Sequence, residues 1–167
     1  LAVIIERNEH VILYDTGASY PSGFNLADAV LLPYFNQQGI KVLDRVIISH
    51  SDNDHAGNLN KLRQSIDIKT VMANDKKLAA EQLCVKGNDF NWQGLSFKIL
   101  SPMEESTKPA SISLINNSSK KTSKTISKTS YKTKSKTNFG KKNDDSCVIQ
   151  ISDGKFSVLL TGDISKK

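Results

Sequence analysis

Two short runs rich in β-branched residues, Ala2–Glu6 and Val11–Asp15, flank the polar Arg7-Asn8-Glu9-His10 and predict a hairpin. Asp15-Thr16-Gly17 breaks the second run, and a loop containing proline and glycine continues through Phe24. Asn25 is a good helix N-cap. Leu26, Ala29, Val30 and Pro33 follow it at helical spacing, and Pro33 is expected to kink or restart the helix. Arg45–Ile48 is a compact apolar strand that ends at Ser49-His50 and opens into the polar Ser51–Asp54. The pattern then predicts a helix from about Asn58 to Gln64, a strand over Ile68–Ala73 and a short helix over Asp75–Gln82. A strand over Leu95–Leu100 is predicted after Asn91-Trp92-Gln93-Gly94. Cys147–Ile151 and Phe156–Leu160 resume strand character around an Asp153-Gly154 turn, and Gly162-Asp163 lies just past the last strand. Alternating strands and helices favour a layered α/β domain.

With 167 residues the chain suits one domain over 1–167 with a sizeable core. Its formal charge of +6 would suggest an acidic partner, but the charge is concentrated in one place. Residues 106–142 hold ten lysines and no acidic residue, so the rest of the chain carries −4. A basic nucleic-acid platform on the folded face therefore does not follow from the global balance. The Ser/Thr/Lys/Asn stretch over 105–143 lacks the apolar content that offsets ordering entropy, and it is expected to be a disordered insertion.

Leu1 begins inside an apolar run and Lys167 follows closely on the last predicted strand, so the chain is expected to be a fragment, incomplete at both ends. No apolar run approaches the ~20 residues of a membrane helix. Cys84 and Cys147 lie far apart without a CxxC pattern, and neither a zinc knuckle nor a disulfide framework is expected. Phe90, Trp92 and Phe97 are expected in the core, and His10, in the polar hairpin, at the surface.

Candidate chemistry lies in His50-Ser51-Asp52-Asn53-Asp54-His55, which holds two of the three histidines and four potential metal ligands in six residues. Imidazole together with carboxylate suits zinc, manganese or iron, and a loop after a buried strand lets such side chains converge. Two-metal hydrolases hold their ions ~3.5–4 Å apart, each on about three protein groups. His50 and Asp52 would serve one ion, Asp54 and His55 the other, and Asp163 would bridge them, with Asp15 supporting the loop from behind. The alternative is a capped turn in which Asp52 or Asp54 caps the next helix and the histidines merely pack.

Asp15-Thr16-Gly17 followed by Ser49-His50-Ser51-Asp52-Asn53-Asp54-His55-Ala56-Gly57 resembles the metallo-β-lactamase superfamily, whose signature is His-x-His-x-Asp-His preceded by an Asp-x-Gly turn. The finer resemblance is to the hydrolase domain of ComEC-type competence proteins, with Asp52 where many superfamily members have histidine. Leu32-Pro33-Tyr34-Phe35, Gly39-Ile40, Ile99-Leu100-Ser101-Pro102, Asn143-Asp144-Asp145-Ser146-Cys147-Val148 and Leu159-Leu160-Thr161-Gly162-Asp163-Ile164 extend it along the chain. Asn58 stands where a second glycine is common, which reads as a small change near a helix start.

The resemblance implies a four-layer αββα sandwich and two divalent metal ions, manganese or zinc, held by His50, Asp52, Asp54, His55 and Asp163. It implies Asp145 and Ser146 as neighbouring support, and a His-His-Gly segment beyond Lys167 that completes the second metal's ligands. The implied activity is phosphodiester hydrolysis that degrades the non-transported strand during DNA uptake, with Asp54 or water accepting the proton. Implied partners are single-stranded DNA, the transmembrane channel region of the same parent chain and the DNA-uptake machinery. The implied place is the periplasmic or extracellular side of a bacterial inner membrane. Two other readings stay open: a hydrolase of a small ester, thioester or lactam on the same fold, and a catalytically decayed DNA-tethering module.

Overall fold

The computed structural model describes residues 1–103 and 145–164. Strands β1 (Val3–Arg7) and β2 (His10–Tyr14) form the expected antiparallel hairpin. A π-helical turn over Ala27–Leu31 runs into α1 (Leu32–Gln37), which restarts with Pro33 in its first turn, where its missing N–H costs no hydrogen bond. β3 (Val42–Leu43), β4 (Arg45–Ile47), α2 (Asn53–Ala56), α3 (Leu59–Ser65), β5 (Asp67–Ile68) and β6 (Val71–Ala73) follow, and then β7 (Gln82–Leu83), β8 (Phe90–Trp92), β9 (Leu95–Ser101), β10 (Val148–Ser152) and β11 (Ser157–Leu160).

The first sheet has the order β1-β2-β4-β6-β7, with β2, β4, β6 and β7 parallel. The second is an antiparallel meander, β11-β10-β9-β8. β3 and β5 make a small parallel pair beside them. Strand alternation sorts the core into two layers. Val11 and Leu13 of β2 face the helical side with Ala27, Leu31, Phe35, Leu59 and Leu62, whereas Ile12 and Tyr14 face Phe97, Ile99 and Ile149 of the second sheet. Among the described residues the layers are thus helix, sheet, sheet, and the α/β class is as expected. Phe97 is fully buried, with Phe90 stacked on it at 4.5 Å and Trp92 edge-on at 6.1 Å.

His10 lies at the surface as expected, its side chain 42% exposed, with its Nδ1 2.6 Å from Asp44 Oδ2. Three expectations need correction. Asp75–Gln82 is not a helix: a single 3-10 turn over Lys76–Leu78 is capped by the Asp75 carboxylate, and it stops where Ala79 turns left-handed at φ 48°, after which the chain joins the sheet edge as β7. Asn58 is not a small change, since its side chain is fully buried and donates to the carbonyls of Thr16, Gly17 and Ala18 at 2.9–3.0 Å. Cys84 and Cys147, for which no disulfide was expected, are joined, with Cα atoms 5.8 Å apart. The sandwich brings the residue after β7 against the residue before β10, so the bond links the two sheets through the core. The insertion expected over 105–143 lies outside the described residues.

Candidate metal centre

Parallel strands direct their C-terminal ends to one edge of a sheet, and on that edge β2 leads into Asp15 and β4 leads through Ile48 into Ser49-His50. Asp15 takes a left-handed φ of 58°, which turns its fully buried carboxylate under the metal loop. Its Oδ1 accepts from the Ser49 N–H at 2.7 Å, and its Oδ2 accepts from Ser49 Oγ at 2.8 Å and from His55 Nδ1 at 2.7 Å. The loop's far side is pinned by Thr16, whose N–H and hydroxyl donate to the His55 carbonyl at 2.6 and 2.9 Å. Gly17, at φ 73°, is required there: a Cβ would come within 2.1 Å of Leu26 Cδ2.

These supports bring His50 and His55 together with ring centroids 4.1 Å apart. One ligand atom each from His50, His55 and Asp163 falls within 4.8 Å of the others. His55 Nε2 is 3.3 Å from Asp163 Oδ1 and 3.4 Å from Asp54 Oδ2, and His50 Nε2 is 3.6 Å from Asp52 Oδ2. Asp163 arrives from the second sheet through Gly162, which packs so closely that a Cβ on it would meet Ser49 Cβ at 2.9 Å and Ser146 Cβ at 3.0 Å. The Ser146 hydroxyl accepts from the Asp163 N–H at 3.3 Å. Asp145 stands outside the cluster of three, and its carbonyl accepts from the Asn74 side-chain amide.

Two observations fit this donor set to cations. The His50 Nε2 atom is buried without a hydrogen-bond partner, an arrangement that is costly for a ring nitrogen unless a ligand meets it. Asp52 occupies the N-cap position of α2, yet its side chain makes no capping bond, and the Asp52, Asp54 and Asp163 side chains stay 57%, 63% and 43% exposed. The carboxylates are therefore not consumed in holding the turn, contrary to the capped-turn alternative. The hydrogen bond that His55 donates to Asp15 raises the pKa of His55 against the opposing effect of burial, and Asp163 and Asp54 add to the rise, so the metal-free pocket attracts positive charge.

Sequence reasoning found the ligand candidates and Asp15 behind them, but missed the other groups that hold the loop. Ser49 and Thr16 stand inside quoted motifs, and their hydroxyls were the available signal. Asn58 and the cysteine pair act through contacts that no local spacing announces.

Residues 1–94 match the metallo-beta-lactamase superfamily. The chain is 35% identical to Recombination protein 2 of Haemophilus influenzae over 100% of its own length and 17% of that protein's. It is 27% identical to ComE operon protein 3 of Bacillus subtilis over 93% of its own length and 19% of that protein's. It thus spans under a fifth of these curated relatives. Among solved structures, the metallo-beta-lactamase fold protein YhfI from Bacillus subtilis superposes with a TM-score of 0.53 at 13% identity, covering 96% of this chain and 53% of that one, a likeness that concerns the fold alone.

Proposed function

Since the chain belongs to the metallo-beta-lactamase superfamily, we propose that it is a metal-dependent hydrolase domain that cleaves phosphodiester bonds of single-stranded DNA as part of a DNA-uptake membrane protein. The convergence of His50, His55 and Asp163, with Asp52 and Asp54 at the mouth, carries the hydrolase reading. His50 and Asp52 would hold one divalent cation, Asp54 and His55 the other, and Asp163 would lie between them. Manganese and zinc both suit this mixture of imidazole and carboxylate, and the oxygen donor Asp52 leans toward manganese. Bound cations would supply Lewis acidity toward a phosphoryl oxygen and toward the attacking water. Asp54, exposed beside His55, or water would accept the proton. Asp15 holds the His55 ring in one orientation, which keeps the donor atoms in place with little reorganisation.

Similarity to proteins named for recombination and competence supports a nucleic-acid substrate. The Cys84–Cys147 disulfide supports a place outside the cytoplasm, since reducing compartments keep such bonds open. Among the described residues no helix is long and apolar enough to cross a membrane. Anchoring would fall to the transmembrane channel region of a longer parent chain, with the DNA-uptake machinery as its neighbours.

The test is cleavage of a single-stranded oligonucleotide with added manganese or zinc, comparing the wild type with Asp54→Ala, His55→Ala and Asp163→Asn. Loss of cleavage in all three variants is expected. Equal cleavage by all four proteins would overturn the assignment. Turnover of esters, thioesters or lactams without DNA cleavage would move it to small-molecule hydrolysis.

A further inference from the structure

Ser49 is where the two metal-facing imidazoles meet behind the site. Its fully buried Oγ lies 2.8 Å from Asp15 Oδ2, 3.0 Å from His50 Nδ1 and 3.1 Å from His55 Nδ1. A hydroxyl has one proton to give and two lone pairs to offer, whereas an ionised carboxylate only accepts. Both Asp15 oxygens already act as acceptors, Oδ1 from the Ser49 N–H and Oδ2 from the His55 ring, so the Ser49 proton goes to Asp15 Oδ2 and both histidines face the lone pairs of Oγ. Each ring must then present an N–H at Nδ1, which leaves its Nε2 lone pair directed at the site.

The two rings do not depend on Ser49 equally. His55 Nδ1 has the Asp15 carboxylate as a second acceptor at 2.7 Å. Among the described residues, His50 Nδ1 finds its acceptor in Ser49 Oγ alone. We infer that Ser49 is a positioning residue that selects the Nδ1–H tautomer of His50, so that the buried, partnerless His50 Nε2 is a lone pair ready for a cation. A neutral imidazole left to water favours the opposite tautomer, with its proton on Nε2, where it would stand between the ring and the ion. The inference rests on reading His50 and His55 as metal ligands, and it concerns proton placement in the metal-free chain, independent of any substrate.

The backbone permits a clean test. The Ser49 N–H bond to Asp15 Oδ1 and the Cys147 N–H bond to the Ser49 carbonyl, both 2.7 Å, survive replacement of the side chain. Long-range nitrogen–proton correlation spectra of the metal-free chain, recorded over a pH series, report the tautomer of each histidine in its neutral form. The wild type is expected to show Nδ1–H on both rings. In Ser49→Ala, His50 should shift predominantly to Nε2–H while His55 stays Nδ1–H, and zinc affinity should fall by about 10- to 100-fold, as for other outer partners of metal-bound histidines. Ser49→Thr, which retains the hydroxyl, should restore the His50 tautomer and most of the affinity.

A His50 ring that is already Nε2–H in the wild type, or that remains Nδ1–H in Ser49→Ala, would overturn the inference. So would a loss of zinc affinity in Ser49→Ala with unchanged tautomers, which would make Ser49 a packing residue. Should Ser49→Thr fail to fold, the His50 tautomer in Ser49→Ala decides alone. Absence of DNA cleavage with the tautomers as expected would refute the substrate assignment and leave the role of Ser49 standing.

Discussion

Replacing both members of the Cys84–Cys147 pair by alanine removes one cross-link and nothing charged. The bond closes a loop over a sequence separation of 63 residues. In the chain-entropy picture, closure of a loop that long restricts the unfolded ensemble by about 4 kcal/mol at 25 °C. Both sulfurs are buried between the sheets among Ile12, Tyr14, Ile47 and Ile149, so the double variant also loses some packing. For a domain of this size, ~4 kcal/mol corresponds to roughly 10–15 °C in Tm and to a shift of about 2 M in the urea midpoint. Calorimetry and urea titration of the oxidised wild type, the wild type with reductant and Cys84→Ala/Cys147→Ala measure it. The last two should both lie below the first, the double variant lower still by the packing it loses. A double variant within about 1 kcal/mol of the oxidised wild type would refute the cross-link as a main source of stability, given how large the closure term is for this loop.

Asn58→Gly removes two amide protons shared by the Thr16, Gly17 and Ala18 carbonyls, and should cost about 2–3 kcal/mol by chemical denaturation, with weaker metal binding because the Asp15-Thr16-Gly17 turn loosens. At the opposite end of β2, burial pushes the Asp44 carboxyl up, but bonds from Lys69, Trp92 and His10 outweigh it and hold the pKa at about 2. A depressed carboxylate stabilises the fold above its unfolded pKa and loses that contribution as pH falls through the folded value. Asp44→Asn should therefore cost roughly 2 kcal/mol above about pH 5, and the gap to wild type in a Tm series should close toward pH 2. His55 has its pKa raised by the bond it donates to Asp15, so its protonated pairing stabilises the metal-free chain fully below about pH 6.5 and is lost as pH rises through the folded value. A cation must displace that proton. Zinc titration calorimetry in buffers of differing ionisation enthalpy should show proton release from His55 that falls as pH rises through the folded value.

What was legible in the chain was whatever depends on short spacing. The β-rich runs around Arg7–His10 marked the hairpin, Pro33 marked the helix restart, and four donors within His50–His55 announced a site. Asp163 could be nominated because a Gly-Asp after a strand places a carboxylate at a sheet end. The residues that were not legible act across the fold. His10, Asp44, Lys69 and Trp92 share no period, and meet only because three separate chain segments converge on the loop that enters β4. Cys84 finds Cys147 only once the second sheet lies on the first. The short helix expected at Asp75 failed because helix-forming composition there was overruled by the sheet edge, which took Gln82 and Leu83 into β7.

The arrangement divides labour between groups that hold and groups that bind. The loop is held by neutral partners wherever possible: Thr16 through its hydroxyl and N–H, Ser19 and Asn53 through reciprocal bonds at 3.1 and 2.7 Å, and Asn58 through its amide. One carboxylate, Asp15, is buried and fully engaged. Asp52, Asp54 and Asp163 remain exposed around two histidines. Three carboxylates at one mouth repel each other, and a fold selected for stability alone would spread them or pair them with lysine. Lys61, the basic residue of α3 nearest in the chain, pairs instead with Asp28 at 3.2 Å. Among the described residues only the two histidines offset this repulsion, an arrangement that suits a cation, so divalent metal should raise the Tm of the wild type and do so far less in Asp163→Asn.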